Sequence, residues 1–327
     1  MPVKDLIMRC VGGELRLIFS AISGEFFETV EELRLRAGQP ITVRAGGREF
    51  FAARDGLCED AARAAAADAR DIRQCVERIS GYSMYAFEED ISRGFITLPG
   101  GHRAGVAGQV VTDLPLPAGR GALASPSVVK TIKNFSAVNF RIAHEIKGCA
   151  DTVMPYILRN TDPAEIFSTM IISPPGCGKT TLLRDLIRQI SAGGQAVGVA
   201  DERSEIAGCY DGVPQNDLGP RADVLDACPK SEGMLMLLRS MCPKVIAADE
   251  LGGKSDALAV EAAANAGVAI ICTAHGVSAR ELYHKPALRT LFKERIFQRF
   301  VVLKGRGEVC GIYDGGFKRL MGEEGCQ

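Results

Sequence analysis

The run Ser173-Pro174-Pro175-Gly176-Cys177-Gly178-Lys179-Thr180-Thr181 constrains this chain more than any other feature. It follows a short apolar segment (TMII, 169–172) and precedes a stretch with apolar residues at helical spacing (180–191). A glycine-rich turn between a buried strand and a helix is the arrangement that cradles phosphate. Gly176 and Gly178 let the backbone curl so that successive N–H groups face one anion. Lys179 supplies charge for the β- and γ-phosphates, Thr180 a hydroxyl for Mg²⁺, and Thr181 a hydroxyl near the α-phosphate. The start of the following helix also favours an anion. Residues 173–181 are therefore expected to bind ATP with Mg²⁺. The usual pattern opens on glycine, and Ser173 can replace it if its φ is negative. The alternative is a solvated Gly-Pro turn before a helix.

A second motif gives the loop a partner. Residues 245–250 read VIAADE, an apolar strand ending in two carboxylates. Strand C-termini line the ligand crevice in parallel sheets, so Asp249 is expected to hold the metal and Glu250 to activate the attacking water. An acidic strand end is common on its own; its position downstream of a phosphate loop gives it meaning. Motor-type ATPases insert an extra strand between the loop strand and the acidic strand, and 196–201 (AVGVAD) is read as that strand. It runs into DERSE (201–205), which adds Asp201, Glu202 and Glu205. Residues 268–276 read VAIICTAHG, so Thr273 and His275 end a further strand. His275 is expected to meet the γ-phosphate or the attacking water and report hydrolysis; the alternative is an ordinary loop histidine.

The surrounding pattern indicates an α/β fold. Apolar runs at 169–173, 196–201, 244–249 and 268–273 alternate with helix-length patterns at 180–191, 231–241 and 255–266, which predicts a mainly parallel sheet. The first half differs. Residues 32–36, 41–44 and 49–52 read as strands, with a hairpin around Gly46-Gly47; 60–80 reads as a helix; 93–98 and 103–111 pair through Pro99-Gly100-Gly101. Residues 114–126 are rich in proline and glycine and read as a loop. The expected organisation is an α+β domain over 1–147, followed by a P-loop ATPase domain over 148–327; the length of 327 residues fits about two domains.

Composition limits the function classes. The net charge of −1 and the absence of tryptophan argue against a general nucleic-acid binder with aromatic stacking platforms. No apolar stretch approaches the roughly 20 residues needed to span a bilayer, and no clean signal-peptide core is visible, so a cytoplasmic protein without direct membrane insertion is expected. The eleven cysteines are scattered singly, which fits reduced thiols better than a disulfide framework or a zinc site; Cys177, Cys242 and Cys272 fall in segments expected to be buried.

The order SPPGCGKTT, DERSE, VIAADE, CTAHG resembles the secretion-type ATPases of type II and type IV systems, which carry a P-loop, an acidic box, an acidic strand end and a histidine box in that sequence. A stage III sporulation family of endospore-forming bacteria is more similar still, over ELRLRAGQPI, ISGYSMYAFEEDISRGFITLPGGHRAGVAG, FRIAHEIKG and DERSEIAGCYDG. The resemblance implies a RecA-like ATPase domain behind an N-terminal domain used for oligomerisation or partner docking. It also implies a homo-oligomer, a hexameric ring, docked from the mother-cell cytosol on membrane channel proteins of the sporulation apparatus. Lys179 and Thr180 match the P-loop pair, Glu205 the acidic-box glutamate, Glu250 the strand-end glutamate and His275 the histidine box. Secretion ATPases place glycine before the strand-end glutamate where this chain has Asp249, which leaves the general base open between Glu250 and Glu205.

Ring ATPases stabilise transition-state charge with an arginine from another domain or subunit. Arg103, Arg141, Arg203, Arg221 and Arg239 are candidates, with Arg141 favoured because it lies just before the domain junction. Arg34 and Arg36 share one face of a strand, read as its wet side. Two rival functions remain at this point: a RecA-like nucleic-acid motor, and a nucleotide-gated structural ring with little turnover.

Overall fold

A computed structural model describes residues 1–112, 129–159, 161, 165–305 and 307–322. The loop expected at 114–126 lies outside the described residues. The chain divides into two compact units, Met1–His144 and Glu145–Gln327.

In the first unit, Gly46 and Gly47 have φ of 57° and 75°, the left-handed pair that a two-residue hairpin turn requires. They join Thr42–Ala45 to Arg48–Ala53 with Ala45 opposite Arg48. This hairpin belongs to a seven-stranded antiparallel sheet in the order Gly56–Cys58, Arg48–Ala53, Thr42–Ala45, Val30–Arg36, Val129–Arg141, His102–Thr112, Phe95–Leu98. Strand alternation puts Leu33 and Leu35 fully inside, while Arg34 and Arg36 stay half-buried on the other face. Arg34 pairs with Glu32 there, which supports the reading of a wet face. Helices Val3–Cys10, Gly13–Ser20 and Ala69–Ile79 contribute Ile7, Leu15 and Ile72 to the same core. The helix expected from residue 60 starts at Ala69 instead. Asp68 accepts the Asp71 N–H at 2.7 Å and Asp71 accepts the Asp68 N–H at 3.0 Å, a reciprocal cap that fixes the first turn there.

The second unit is built on an eight-stranded sheet. Its order is Ala222–Asp226, Val197–Asp201, Val245–Ala248, Ala269–His275, Thr169–Ser173, Arg299–Lys304, Glu308–Asp314, Arg319–Gly322. The first six strands run parallel and the last two pair antiparallel at one edge. Both faces are covered, so the central strands are buried along almost their whole length, with polar residues such as Ser173, Asp201 and Thr273 at or near their C-terminal ends. Met170 and Ile172 join one core cluster with helices Lys230–Ser240 and Lys254–Asn265, whereas Ile171 joins another with Leu183, Leu186 and Ile190 of helix Lys179–Ala192.

The sheet order corrects one expectation. The strand lying between the phosphate-loop strand (Thr169–Ser173) and the acidic strand (Val245–Ala248) is the histidine strand, Ala269–His275. Val197–Asp201 intervenes in sequence only, and it pairs on the far side of the acidic strand. The cysteine expectations are also corrected. Cys272 is fully buried, but Cys177 is half-buried and Cys242 is exposed in the turn after a helix. Among the described residues nine cysteines are free thiols, while Cys310 is disulfide-bonded. Among the described residues no helix is long and apolar enough to cross a membrane.

Candidate functional site

Ser173 ends its strand fully buried and outside the set of positive-φ residues, so it makes the strand-to-loop turn without the glycine of the usual pattern. The chain then runs through exposed Pro174, Pro175 and Gly176 and half-buried Cys177. Gly176 and Gly178 have φ of 73° and 86°, which a side chain would strain. Gly178 is the N-cap of helix Lys179–Ala192, which has neither a side-chain cap nor an acidic residue in its first turn. A helix start of this kind, with no carboxylate of its own, is suited to receive an external anion. Thr180 and Thr181 lie half-buried in the first turn.

Lys179 is 6% exposed, and its ammonium donates to Ser173 O at 3.3 Å, Pro174 O at 3.2 Å and His275 Nδ1 at 3.2 Å. Burial lowers its pKa from the ordinary lysine value, against the opposing pull of Asp249 and Glu250. An ammonium only donates, so His275 Nδ1 accepts and the ring proton lies on Nε2. That nitrogen is 2.7 Å from Glu250 Oε1. On the other side Arg203 Nη1 donates to Glu250 Oε2 at 2.8 Å. Burial alone raises the Glu250 carboxyl, but the His275 hydrogen bond and the charges of Arg203 and Lys179 outweigh it and hold the group below the usual glutamate value.

Asp249 joins two strands and the loop. Its Oδ2 accepts the Thr180 hydroxyl at 2.6 Å, and its Oδ1 accepts the Thr273 hydroxyl. Thr273 Oγ1 in turn accepts the Glu250 N–H at 2.9 Å, and Thr273 O accepts the Leu251 N–H at 2.8 Å. These contacts pin Glu250 in a left-handed conformation with φ of 54°. Such strain in a non-glycine residue persists where neighbours over-determine it.

The DERSE segment is folded around a buried carboxylate. Asp201 accepts the N–H groups of Glu205, Ile206 and Ala207 at 2.8, 3.0 and 2.8 Å. Burial is the main cause that raises its pKa to about 6. Buried Arg184, from the helix behind the phosphate loop, donates to Ile206 O at 2.9 Å and Glu205 O at 2.8 Å. Glu205 lines one cleft with Asp201, Glu202, Arg203, Lys230, Asp249 and Glu250.

Ser173 to Thr181, Asp249, Glu250, Thr273 and His275 thus form one connected cluster, and Glu205 shares its acidic cleft. Arg141 belongs to the first unit, exposed at the end of its strand opposite Glu32 and Arg103. Two contributors stand apart from the sequence expectations. Arg203 is among the five candidate arginines, but Arg141 is the one favoured there, and Arg184 carries no motif signal.

The residues present fit a magnesium nucleotide. Gly176 has nothing within 4 Å of an added Cβ, so the loop offers an open cradle. Thr180 and Asp249 are oxygen donors, suited to a hard cation. Among the described residues no group of three or more His, Cys, Asp or Glu is arranged to hold a metal by itself. Mg²⁺ is characteristically held by one or two carboxylates together with substrate phosphates.

Comparisons agree with this architecture. Stage III sporulation protein AA of Bacillus subtilis (strain 168) is 41% identical over 293 residues, covering 87% of this chain and 87% of that protein. The ATPase DotB of Yersinia pseudotuberculosis superposes with a TM-score of 0.58 at 13% identity, over 93% of this chain and 80% of that one. The pilus retraction motor PilT with bound ADP gives 0.53 at 15% identity, over 92% and 82%. At such identities the likeness is one of fold, and that fold is the RecA-like fold of secretion ATPases. The model of the family described as sporulation stage III, protein AA matches residues 1–320, and the chain belongs to that family.

Proposed function

We propose that this chain is a Mg²⁺-dependent ATPase that works as an oligomeric secretion-type motor for a sporulation transport or channel complex. The observation that carries the reading is the unbroken contact path from Lys179 through His275 to Glu250, beside the Thr180–Asp249 pair. Residues 173–181 bind the triphosphate, with Lys179 turning from the loop carbonyls to the β- and γ-phosphates. Thr180 and Asp249 hold Mg²⁺, which supplies positive charge against the phosphate oxygens. Glu250 takes a proton from the attacking water, and His275 fixes the carboxylate that does so. Glu205, in the same acidic cleft, is the alternative base.

The wider reading draws on the family. The ring is a hexamer on the cytoplasmic, mother-cell side of the membrane, the domain over 1–147 docks membrane channel proteins, and Arg141 supplies charge to a neighbouring transition state. ATP turnover by purified protein, alone and with its channel partner, tests the core of the proposal. Absence of turnover in both states would sink the motor reading and leave a nucleotide-gated ring. Stimulation by single-stranded nucleic acid with steep salt dependence would favour the nucleic-acid motor instead.

A further inference from the structure

The Glu250 carboxylate has both oxygens engaged, one by His275 Nε2 at 2.7 Å and one by Arg203 Nη1 at 2.8 Å. The two partners are held very differently. His275 ends a central strand, paired in register with Ser173 of the phosphate loop, and its other ring nitrogen is occupied by Lys179. Arg203 stands on the short DERSE segment, and its side chain is 63% exposed. The backbone of that segment is pinned by Asp201 through Glu205, Ile206 and Ala207, beyond the arginine itself. The other cation lining the cleft, Lys230, is paired with Glu202 at 2.5 Å.

We propose that Arg203 is an ATP-versus-ADP discriminator acting in cis: it rests on Glu250 and transfers to the terminal phosphate when a nucleoside triphosphate binds. The inference rests on the nucleotide-site reading above and adds a residue and a regulation to it. Three contacts of 3.2, 2.7 and 2.8 Å link Lys179 to Arg203 through His275 and Glu250, so the guanidinium stands at the far end of a chain that begins in the phosphate loop. A terminal phosphate offers more charge and more acceptor oxygens than a carboxylate already shared with histidine, and a planar guanidinium suits it. Moving Arg203 leaves Glu250 Oε2 open toward water while His275 still orients Oε1. ADP lacks the attracting group, so with ADP the arginine stays on Glu250. The base is thereby released only when there is a bond to cleave.

Binding of Mg²⁺–ADP and of a non-hydrolysable β,γ-imido ATP analogue to the full-length chain, measured by calorimetry, tests this. Arg203→Gln is expected to weaken the triphosphate analogue about tenfold, a loss of about 1.4 kcal/mol, and to leave ADP unchanged. Arg203→Lys keeps the charge and should recover part of the difference. Glu250→Gln removes the competing carboxylate, so it should tighten the analogue in the native background and fail to do so when combined with Arg203→Gln. Equal losses for both nucleotides, or no loss for either, would overturn the proposal and leave Arg203 a structural partner of Glu250. Should the unaltered chain bind neither nucleotide, the site reading itself would fall, and the discriminator with it.

Discussion

The Thr180 hydroxyl lies 2.6 Å from Asp249 Oδ2, joining the phosphate loop to a strand end 69 positions later in the chain. Both are oxygen donors of the kind a small hard cation takes. Thr180→Ala is expected to raise the Mg²⁺ concentration for half-maximal turnover by about tenfold or more, since a lost charge-assisted oxygen contact costs on the order of 1.5–3 kcal/mol. Thr180→Ser should restore it. A magnesium titration of initial rates checks both, and an unchanged magnesium requirement in the alanine variant would remove Thr180 from the metal site.

Glu250→Gln is nearly isosteric, and its one carbonyl oxygen can still accept from His275 while Arg203 loses its carboxylate partner, so the fold should be retained. Turnover should fall by about 10²- to 10⁴-fold, the usual contribution of a positioned base, while nucleotide binding persists. The parallel Glu205→Gln variant separates the two candidates. A large loss there with little loss at Glu250 would assign the base to the acidic box.

Gly178→Ala places a Cβ at φ of 86°. The left-handed region costs an alanine about 1–2 kcal/mol, so the denaturation midpoint should fall accordingly. The helix start beyond it should also lose alignment, and nucleotide affinity should fall further than stability. An alanine variant with native affinity would show that this turn tolerates the strain.

His102 gives the first unit a pH dependence. Burial, then the charges of His144 and the N-terminus, lower its pKa from 6.5 to about 4, and its Nδ1 accepts the Ala143 N–H at 3.0 Å. Between those values the unfolded chain binds more protons than the folded one. Stability contributed here is therefore present above about 6.5 and is lost as pH falls toward about 4, by at most about 1.4 kcal/mol per pH unit. Urea midpoints followed across that window should show the slope in the native chain and a flatter one in His102→Gln.

The site was legible where its signals were local. SPPGCGKTT, VIAADE and CTAHG each put their candidate residues at or just beyond a strand end, and Gly46-Gly47 marks its hairpin. Pairing between distant segments was less legible. The half-buried edge strand Ala222–Asp226 is interrupted by Asp223 and Asp226 and lacks an apolar run, and the closing strands Glu308–Asp314 and Arg319–Gly322 went unread. Strand order cannot be read from chain order, which is why Val197–Asp201 was assigned the wrong neighbours. Arg203 was hidden for the same reason, since its partner Glu250 lies 47 positions away. The start of helix Ala69–Ile79 was readable in principle from the Asp68–Asp71 spacing; the alanine-rich approach obscured it.

The histidine strand is hydrogen-bonded along both edges, with Ser173 beside His275 on one side and Ala248 beside Cys272 on the other. Its side chains are packed above and below, from Ile270 to Ala274 without exposure. A strand held in four directions cannot slide toward one neighbour without dragging the other. The phosphate loop, the Asp249 carboxylate and the histidine therefore share a stiff floor with almost no play between its boards. Any change of state at this site has to be carried by parts that stand on the floor: rotating side chains and the short turn that bears Arg203.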